Sequence, residues 1–237
     1  MTRVHAIADL HLSEAGHKPM HVFGELWRDH SVRMAALWDE RVAAADTVLL
    51  AGDLSWGRTI AEAASDLDWI GRRQGRKLLL RGNHDGWWSG AGRARAALPP
   101  GCRMLHNDAH EVGPWIVVGA RGWTAPDDPV AVPGDERIFR RELTRLQLSV
   151  ADADRRFGRE RPRLALVHFP PWLKGREPGA VVDRLQEAGV TACVYGHLHG
   201  PDHALARTGV HAGIRFHFVA VDATGFAPVE LPPPGNP

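Results

Sequence analysis

Five short stretches of the chain carry side chains able to do metal chemistry: Asp9-Leu10-His11, Gly52-Asp53, Gly82-Asn83-His84-Asp85, His168 and Gly196-His197-Leu198-His199. Each follows an apolar run, at the point where a buried strand would give way to a loop. Carboxylate, imidazole and amide oxygen are all donors for divalent transition metals. Seven of them, Asp9, His11, Asp53, Asn83, His168, His197 and His199, are enough for two ions rather than one. A lone His or Asp is more often a satisfied polar residue than a ligand, so the inference rests on the ordered set. His5, His106, His110, His203, His211 and His217 fall outside it and read as ordinary polar positions. Glycine before a ligand, as at Gly52 and Gly82, suits a tight turn or a close backbone approach.

The elements that would position these groups alternate. Val4 to Ala8 reads as a buried strand ending at Asp9, and residues 13–30 as a long irregular loop. Met34, Trp38, Val42 and Ala45 recur at helical spacing before a second strand, Thr47 to Ala51, ending at Asp53. Thr59 with Glu62 forms a capping box for a helix whose apolar face is Ile60, Ala63, Ala64, Leu67 and Ile70. A third strand, Lys77 to Leu80, leads to Asn83. Further strands are expected at Trp115 to Val118, Leu164 to Val167, Thr191 to Tyr195 and Ile214 to Ala220. Phe139, Leu143, Leu146 and Val150 define one helix, whose Arg140, Arg141 and Arg145 read as a solvated face, and Val181 to Ala188 defines another. Helices alternating with strands early, with β structure dominating late, predict an α/β fold of two sheets packed together and flanked by helices. The ligands would gather outside the strand ends.

The chain has 237 residues, 44% hydrophobic and 24% charged, enough for one sizeable core. We expect one domain over 1–231 and a Pro-rich tail at 232–237. A formal charge of +1 gives no general field for nucleic acid or anionic membrane, so an anionic substrate must be held locally. Cys102 and Cys193 lack paired spacing, the N-terminal residues lack a signal-peptide apolar core, and no apolar run spans a bilayer. A soluble, cytoplasmic protein is the expectation.

As an ordered set, the five motifs resemble those of the calcineurin-like metallophosphoesterases. The resemblance runs from the first strand to Gly196-His197-Leu198-His199, and it implies a four-layer αββα sandwich of two mixed sheets with a dinuclear metal site. It implies Asp9, His11 and His199 on one ion, Asn83, His168 and His197 on the other, and Asp53 bridging. His84 would be the non-ligand imidazole near the leaving group, oriented by Asp85. Gly82-Asn83-His84-Asp85-Gly86-Trp87-Trp88 and Ala120-Arg121-Gly122-Trp123 further resemble a bacterial subgroup, which narrows kinship without naming a substrate.

The expected activity is hydrolysis of phosphate mono- or diesters by a hydroxide activated at the dinuclear centre, with Mn, Fe or Zn as the ions. Two ions about 3.5–4 Å apart activate a water and clamp the oxygens of an in-line displacement. Arg121, in a loop after a strand, could grip phosphate with its guanidinium fork. Five tryptophans, Trp56, Trp87, Trp88, Trp123 and Trp172, fall in loops beside the motifs. Of these, Trp88 and Trp172 are expected to stack a planar substrate such as a nucleotide or aryl diester. The alternatives are a non-enzymatic scaffold, which would show gaps in the ligand set, a nuclease, which would carry a basic groove or added domain, and a protein phosphatase.

Overall fold

The computed structural model describes residues 2–16 and 18–235. In chain order the elements are β1 (Val4–Ile7), α1 (His30–Arg41), β2 (Thr47–Leu50), α2 (Ile60–Arg72), β3 (Arg76–Leu79), α3 (Ala91–Ala97), β4 (Cys102–Met104), β5 (His110–Val112), β6 (Trp115–Ala120), α4 (Asp135–Phe157), β7 (Arg163–Val167), α5 (Ala180–Glu187), β8 (Val190–Tyr195), β9 (Gly209–His211), β10 (Ile214–Phe218) and β11 (Val229–Glu230).

One sheet has the order β11-β1-β2-β3-β4 and the other β5-β6-β7-β8-β10-β9. Both are mixed: β1, β2, β3 and β4 run parallel with β11 antiparallel, while β6, β7, β8 and β10 run parallel with β5 and β9 antiparallel at the edges. Alternating side chains explain the four layers. Val4, Ala6, Leu49, Leu78, Val117, Leu164 and Val194 pack between the sheets. Ile7, Leu50 and Leu79 face outward to Met34, Trp38, Leu67 and Ile70, while Ile116, Val118, Ala165 and Cys193 face Leu146 and Leu185. Strands buried on both faces must be apolar throughout, which is why they read as unbroken runs.

The sheets are tied where the expected ligands emerge: Ala8 donates to Val219 O at 2.9 Å, and Val221 donates to Ala8 O at 3.1 Å. Thr59 caps α2, its Oγ1 accepting from Glu62 N at 3.2 Å, while the Glu62 carboxylate accepts from Arg58 N at 2.8 Å, one residue outside the expected reciprocal bond.

Several elements go beyond the expectations. The segment expected as loop contains two 3-10 turns, Met20–Phe23 and Glu25–Trp27. His17, within it, lies outside the described residues. On α4, Arg140 is solvated, but Arg145 is 28% exposed and faces Glu142, itself 2% exposed, so this part of the helix is not the solvated face expected. Leu231 is buried and donates to Val4 O at 2.8 Å, and residues 232–235 are irregular. The last two positions of the expected tail, Asn236 and Pro237, lie outside the described residues. Among the described residues no helix is long and apolar enough to cross a membrane.

Candidate metal centre

Parallel strands in both sheets deliver their C-terminal ends to one edge. Asp9 and His11 follow β1, Asp53 follows β2, Asn83 follows β3, His168 follows β7, and His197 and His199 follow β8. The chain after β1 runs beside the chain after β2, with Asp9 N donating to Gly52 O at 2.9 Å and His11 N to Asp53 O at 3.0 Å. Holding the side chains inward requires unusual backbone. Asp9, His11, Asp53 and His197 are four of the eight non-glycine residues with positive φ among the described residues. Such conformations cluster where surrounding structure over-determines them, often at functional sites.

The glycines before the expected donors leave room for neighbouring donor side chains. A Cβ on Gly82 would lie 2.0 Å from Asp53 Oδ1, and one on Gly52, at φ +93°, would lie 2.6 Å from His168 Nδ1.

The seven expected donors converge. The donor atoms of Asp9, His11 and His199 lie within 4.8 Å of one another, as do those of Asp53, His168 and His197. Asn83 Oδ1 joins the second group, 2.8 Å from His168 Nε2 and 3.1 Å from His197 Nδ1. Between the groups stands Asp53, its Oδ2 3.4 Å from His168 Nε2 and 3.9 Å from His11 Nε2. Two observations fit divalent cations here. His11 Nε2 and His199 Nε2 approach to 3.2 Å, and Asp9 Oδ1 is buried with no hydrogen-bond partner. A buried carboxylate oxygen without a donor is costly, and a cation between it and the imidazole nitrogens would satisfy it.

Neighbouring groups fix how the imidazoles point. His168 Nδ1 lies 2.8 Å from the Ala51 carbonyl, which accepts only a protonated nitrogen and so leaves Nε2 toward the cluster. Asp222 does the same for His199, its Oδ1 3.0 Å from Nδ1. Asp222 also accepts from Gly200 N at 3.2 Å and pairs with His203 Nε2 at 3.0 Å. Sequence reading passed over Asp222 and left His203 as an ordinary polar position. The signal was available: Val219-Ala220-Val221-Asp222 is another apolar run closed by a carboxylate.

Electrostatics couple the groups. Burial pushes the Asp9 carboxyl up to about 7 against the pull of His168 and His199. Burial acts the same way on Asp53, but the His168 charge and hydrogen bond outweigh it and hold that carboxyl well below its ordinary range. His168 shows the complement: burial opposes its charge, yet Asp53 and Asp9 raise it to about 9. Burial, reinforced by neighbouring imidazoles, lowers His11 and His197 to about 3, so both are neutral.

The remaining expected residues take other places. His84 is at the cluster, its Nε2 4.0 Å from Asp53 Oδ2, its side chain 45% exposed. Asp85 does not orient it. The Asp85 oxygens accept from Gly82 N, Leu54 N, Ser55 N and Trp87 Nε1 at 2.7–3.1 Å, a clamp joining the two ligand loops. Arg121 turns to Glu142 at 3.3 Å and lies over the Trp123 ring at 4.4 Å, and its described side-chain contacts include none with the cluster imidazoles. Trp88 is 2% exposed in the core against Trp87 and has no face for a substrate. The Trp172 ring is covered by the Arg207 guanidinium at 3.8 Å and packs on Phe216.

Of the five tryptophans expected near the site, Trp56 has a described contact with cluster imidazoles, stacking on His11 at 4.9 Å and tilted to His84 at 4.5 Å. Trp27, in the segment expected as an irregular loop, meets His11 and His199 edge-on at 5.9 and 5.7 Å.

The family model for calcineurin-like phosphoesterases matches residues 2–201, and the chain belongs to that family. The gene 66 protein of Mycobacterium phage D29 is 40% identical over 85 residues, 36% of this chain and 41% of the phage protein. Its counterpart in Mycobacterium phage L5 is 42% identical over 82 residues, 33% of this chain and 38% of that protein. The matches thus span about two fifths of those relatives' length. Among solved structures, phosphopantetheinyl hydrolase from Mycobacterium tuberculosis superposes with a TM-score of 0.60 at 17% identity, covering 98% of this chain and 96% of that one. A protein of unknown function from Aquifex aeolicus superposes with a TM-score of 0.54 at 13% identity, covering 97% and 96%. At such identities these two likenesses speak for the fold alone.

Proposed function

We propose that the protein is a metal-dependent phosphoesterase that hydrolyses phosphate mono- or diesters of small molecules at a dinuclear centre. Asp9, His11 and His199 would hold one ion and Asn83, His168 and His197 the other, with Asp53 shared. When bound, the two ions supply Lewis acidity that activates water and offsets charge on the phosphoryl oxygens. The observation that carries this reading is the place of Asp53, whose Oδ2 faces both His11 and His168 from between the two donor groups.

The chain's own residues have separate tasks in this scheme. Asp222 and the Ala51 carbonyl keep the Nε2 atoms of His199 and His168 turned inward. His84, half-exposed beside Asp53, is the group able to meet the substrate and move a proton at Nε2 toward the departing oxygen. Trp27 and Trp56 wall the His11 side against water.

The test is to load the purified protein with Mn²⁺, Fe²⁺ or Zn²⁺ and assay aryl phosphate mono- and diesters alongside elemental analysis. Activity is expected to require metal, and Asp53→Asn is expected to lower metal content and hydrolysis together. Metal-independent hydrolysis, or an Asp53→Asn variant with full metal content and activity, would overturn the reading.

A further inference from the structure

Where β3 and β4 of one sheet meet β6 and α4 of the other face, Arg81, Arg121 and Arg145 converge on a small pocket, open to solvent, that Glu142, His106 and Asn107 also line. The charges in it do not balance. Glu142 is the carboxylate among these lining residues, and its Oε1 is shared by Arg121 at 3.3 Å and Arg145 at 3.7 Å, with Arg141 at 3.9 Å from outside. Arg81 has no described ion pair, and its Nε and that of Arg121 are buried without an acceptor, while Glu142 Oε2 is buried without a donor, so the two unpaired N–H groups outnumber the one unpaired oxygen. The Arg121 side chain is only 10% exposed. Burial lowers its guanidinium, with Arg81, Arg141 and Arg145 adding to the effect against Glu142. Beyond the lining, Asp85 is the strongest opposing charge on Arg81, but its oxygens already accept from Gly82 N, Leu54 N, Ser55 N and Trp87 Nε1. Arginine stays charged in proteins, so three guanidinium groups around Glu142 leave an excess of positive charge, a costly arrangement unless an anion enters.

We propose that this pocket is a second anion site, separate from the metal centre, that takes a phosphate group between Arg81, Arg121 and Arg145. Planar guanidinium forks suit the oxygens of a tetrahedral oxyanion, and more than one fork can engage it at once. The pocket lies one turn of chain from the expected ligands. Arg81 directly precedes Gly82-Asn83, and the Arg121 carbonyl accepts from His168 N at 3.0 Å and Phe169 N at 2.9 Å. A phosphate held there braces the two segments that present Asn83 and His168. It can be free inorganic phosphate or a second phosphoryl group of an extended substrate.

The test is calorimetric titration of inorganic phosphate into the full chain stripped of metal with EDTA, which stands whether or not the dinuclear reading does. One saturable site is expected. Arg145→Gln and Arg81→Gln are each expected to weaken it about tenfold or more, the loss of a charge-assisted contact. Arg140→Gln, on the solvated face of α4, should leave it within about twofold. Circular dichroism checks that each variant folds, and Arg145, at 28% exposure, provides a substitution that spares the more deeply buried Arg121. No saturable binding, or binding that both Arg145→Gln and Arg81→Gln leave intact, would overturn the proposal. A kinetic arm on the metal-loaded protein then separates the sources. If the ligand is free phosphate, added phosphate changes kcat for an aryl monoester in wild type but not in Arg145→Gln. If it is a second phosphoryl group, Arg145→Gln lowers kcat/KM for a nucleoside diphosphate more than for the aryl monoester.

Discussion

His84 and Asp222 both border the cluster, one through Asp53 and the other through His199, and are expected to fail in different ways when removed. His84 touches the cluster through Asp53, 4.0 Å away, and its backbone N–H donates to Asp53 Oδ1 at 2.8 Å, a bond that truncating the ring does not break. His84→Ala is therefore expected to keep its metal by elemental analysis and to lose about 10²–10⁴-fold in kcat, the usual worth of a positioned acid or base. Full activity with intact metal would remove His84 from this role. Asp222 acts through His199. Burial would lower that imidazole, but the Asp222 hydrogen bond and the charges of Asp9, Asp222 and Asp53 raise it. Asp222→Asn keeps the shape but weakens the hold on the Nδ1 proton. A loss of about 10–100-fold in metal affinity is expected, as for other carboxylates behind a ligating imidazole. Competition with a chromophoric chelator measures it, and unchanged affinity would leave Asp222 to the His203 pair alone.

At the scale of elements, the turns between residues 13 and 29 and the stretch after β2 build one wall from separate pieces. Trp56 is stacked on His11, capped by Lys18 Nζ at 3.4 Å, and donates from Nε1 to Met20 Sδ at 3.1 Å. A ring with an imidazole stacked on it and an ammonium over it orders its neighbours rather than offering a platform to substrate. Trp56→Leu is thus expected to lower metal retention severalfold and to reduce kcat/KM for aryl and alkyl phosphates by the same factor. A loss confined to aryl substrates would instead make the ring a substrate contact.

What the sequence made legible at this scale follows from burial. Parallel strands covered on both faces are largely apolar to their ends, so the polar candidate donor that follows each one stands out. β4, β5, β9 and β11 have two or three residues each, too few to display a period, and α3 buries only Ala94. The partners of Asp85 were not legible because the direction of a side chain within a turn is set by the neighbouring loop. Glu142 was legible in principle. It shares the spacing of Phe139, Leu146, Ser149 and Ala153, all buried on one side of α4, and a carboxylate on an apolar stripe foretells buried cations around it.

For the molecule as a whole, the proposed centre would link metal uptake to pH and to stability. Without metal, His168 holds a proton up to about 9 because it faces the Asp53 carboxylate, and Asp9 holds one up to about 7 because it is buried. Both must be given up for a cation. The sign follows for each group. The raised His168 stabilises the metal-free fold fully below its ordinary value near 6.5, and this contribution is lost as pH climbs through about 9. The raised Asp9 costs the metal-free fold stability as pH rises from its ordinary 3.8 through about 7. The metal-loaded fold escapes both losses, so the gap between loaded and stripped protein must widen with pH. A ligand at a hundred times its Kd contributes about 2.7 kcal/mol, which for a domain of this size corresponds to roughly 5–10 °C in Tm. Thermal scans with Mn²⁺ and with EDTA from pH 6 to pH 9 are expected to show that difference emerging toward the alkaline end. Calorimetry in buffers of different ionisation enthalpy at pH 8 should register about one proton released per chain, from His168. A Tm difference that is flat or grows toward acid, or metal uptake with no proton release, would mean that His168 and Asp9 do not give up their protons to a metal.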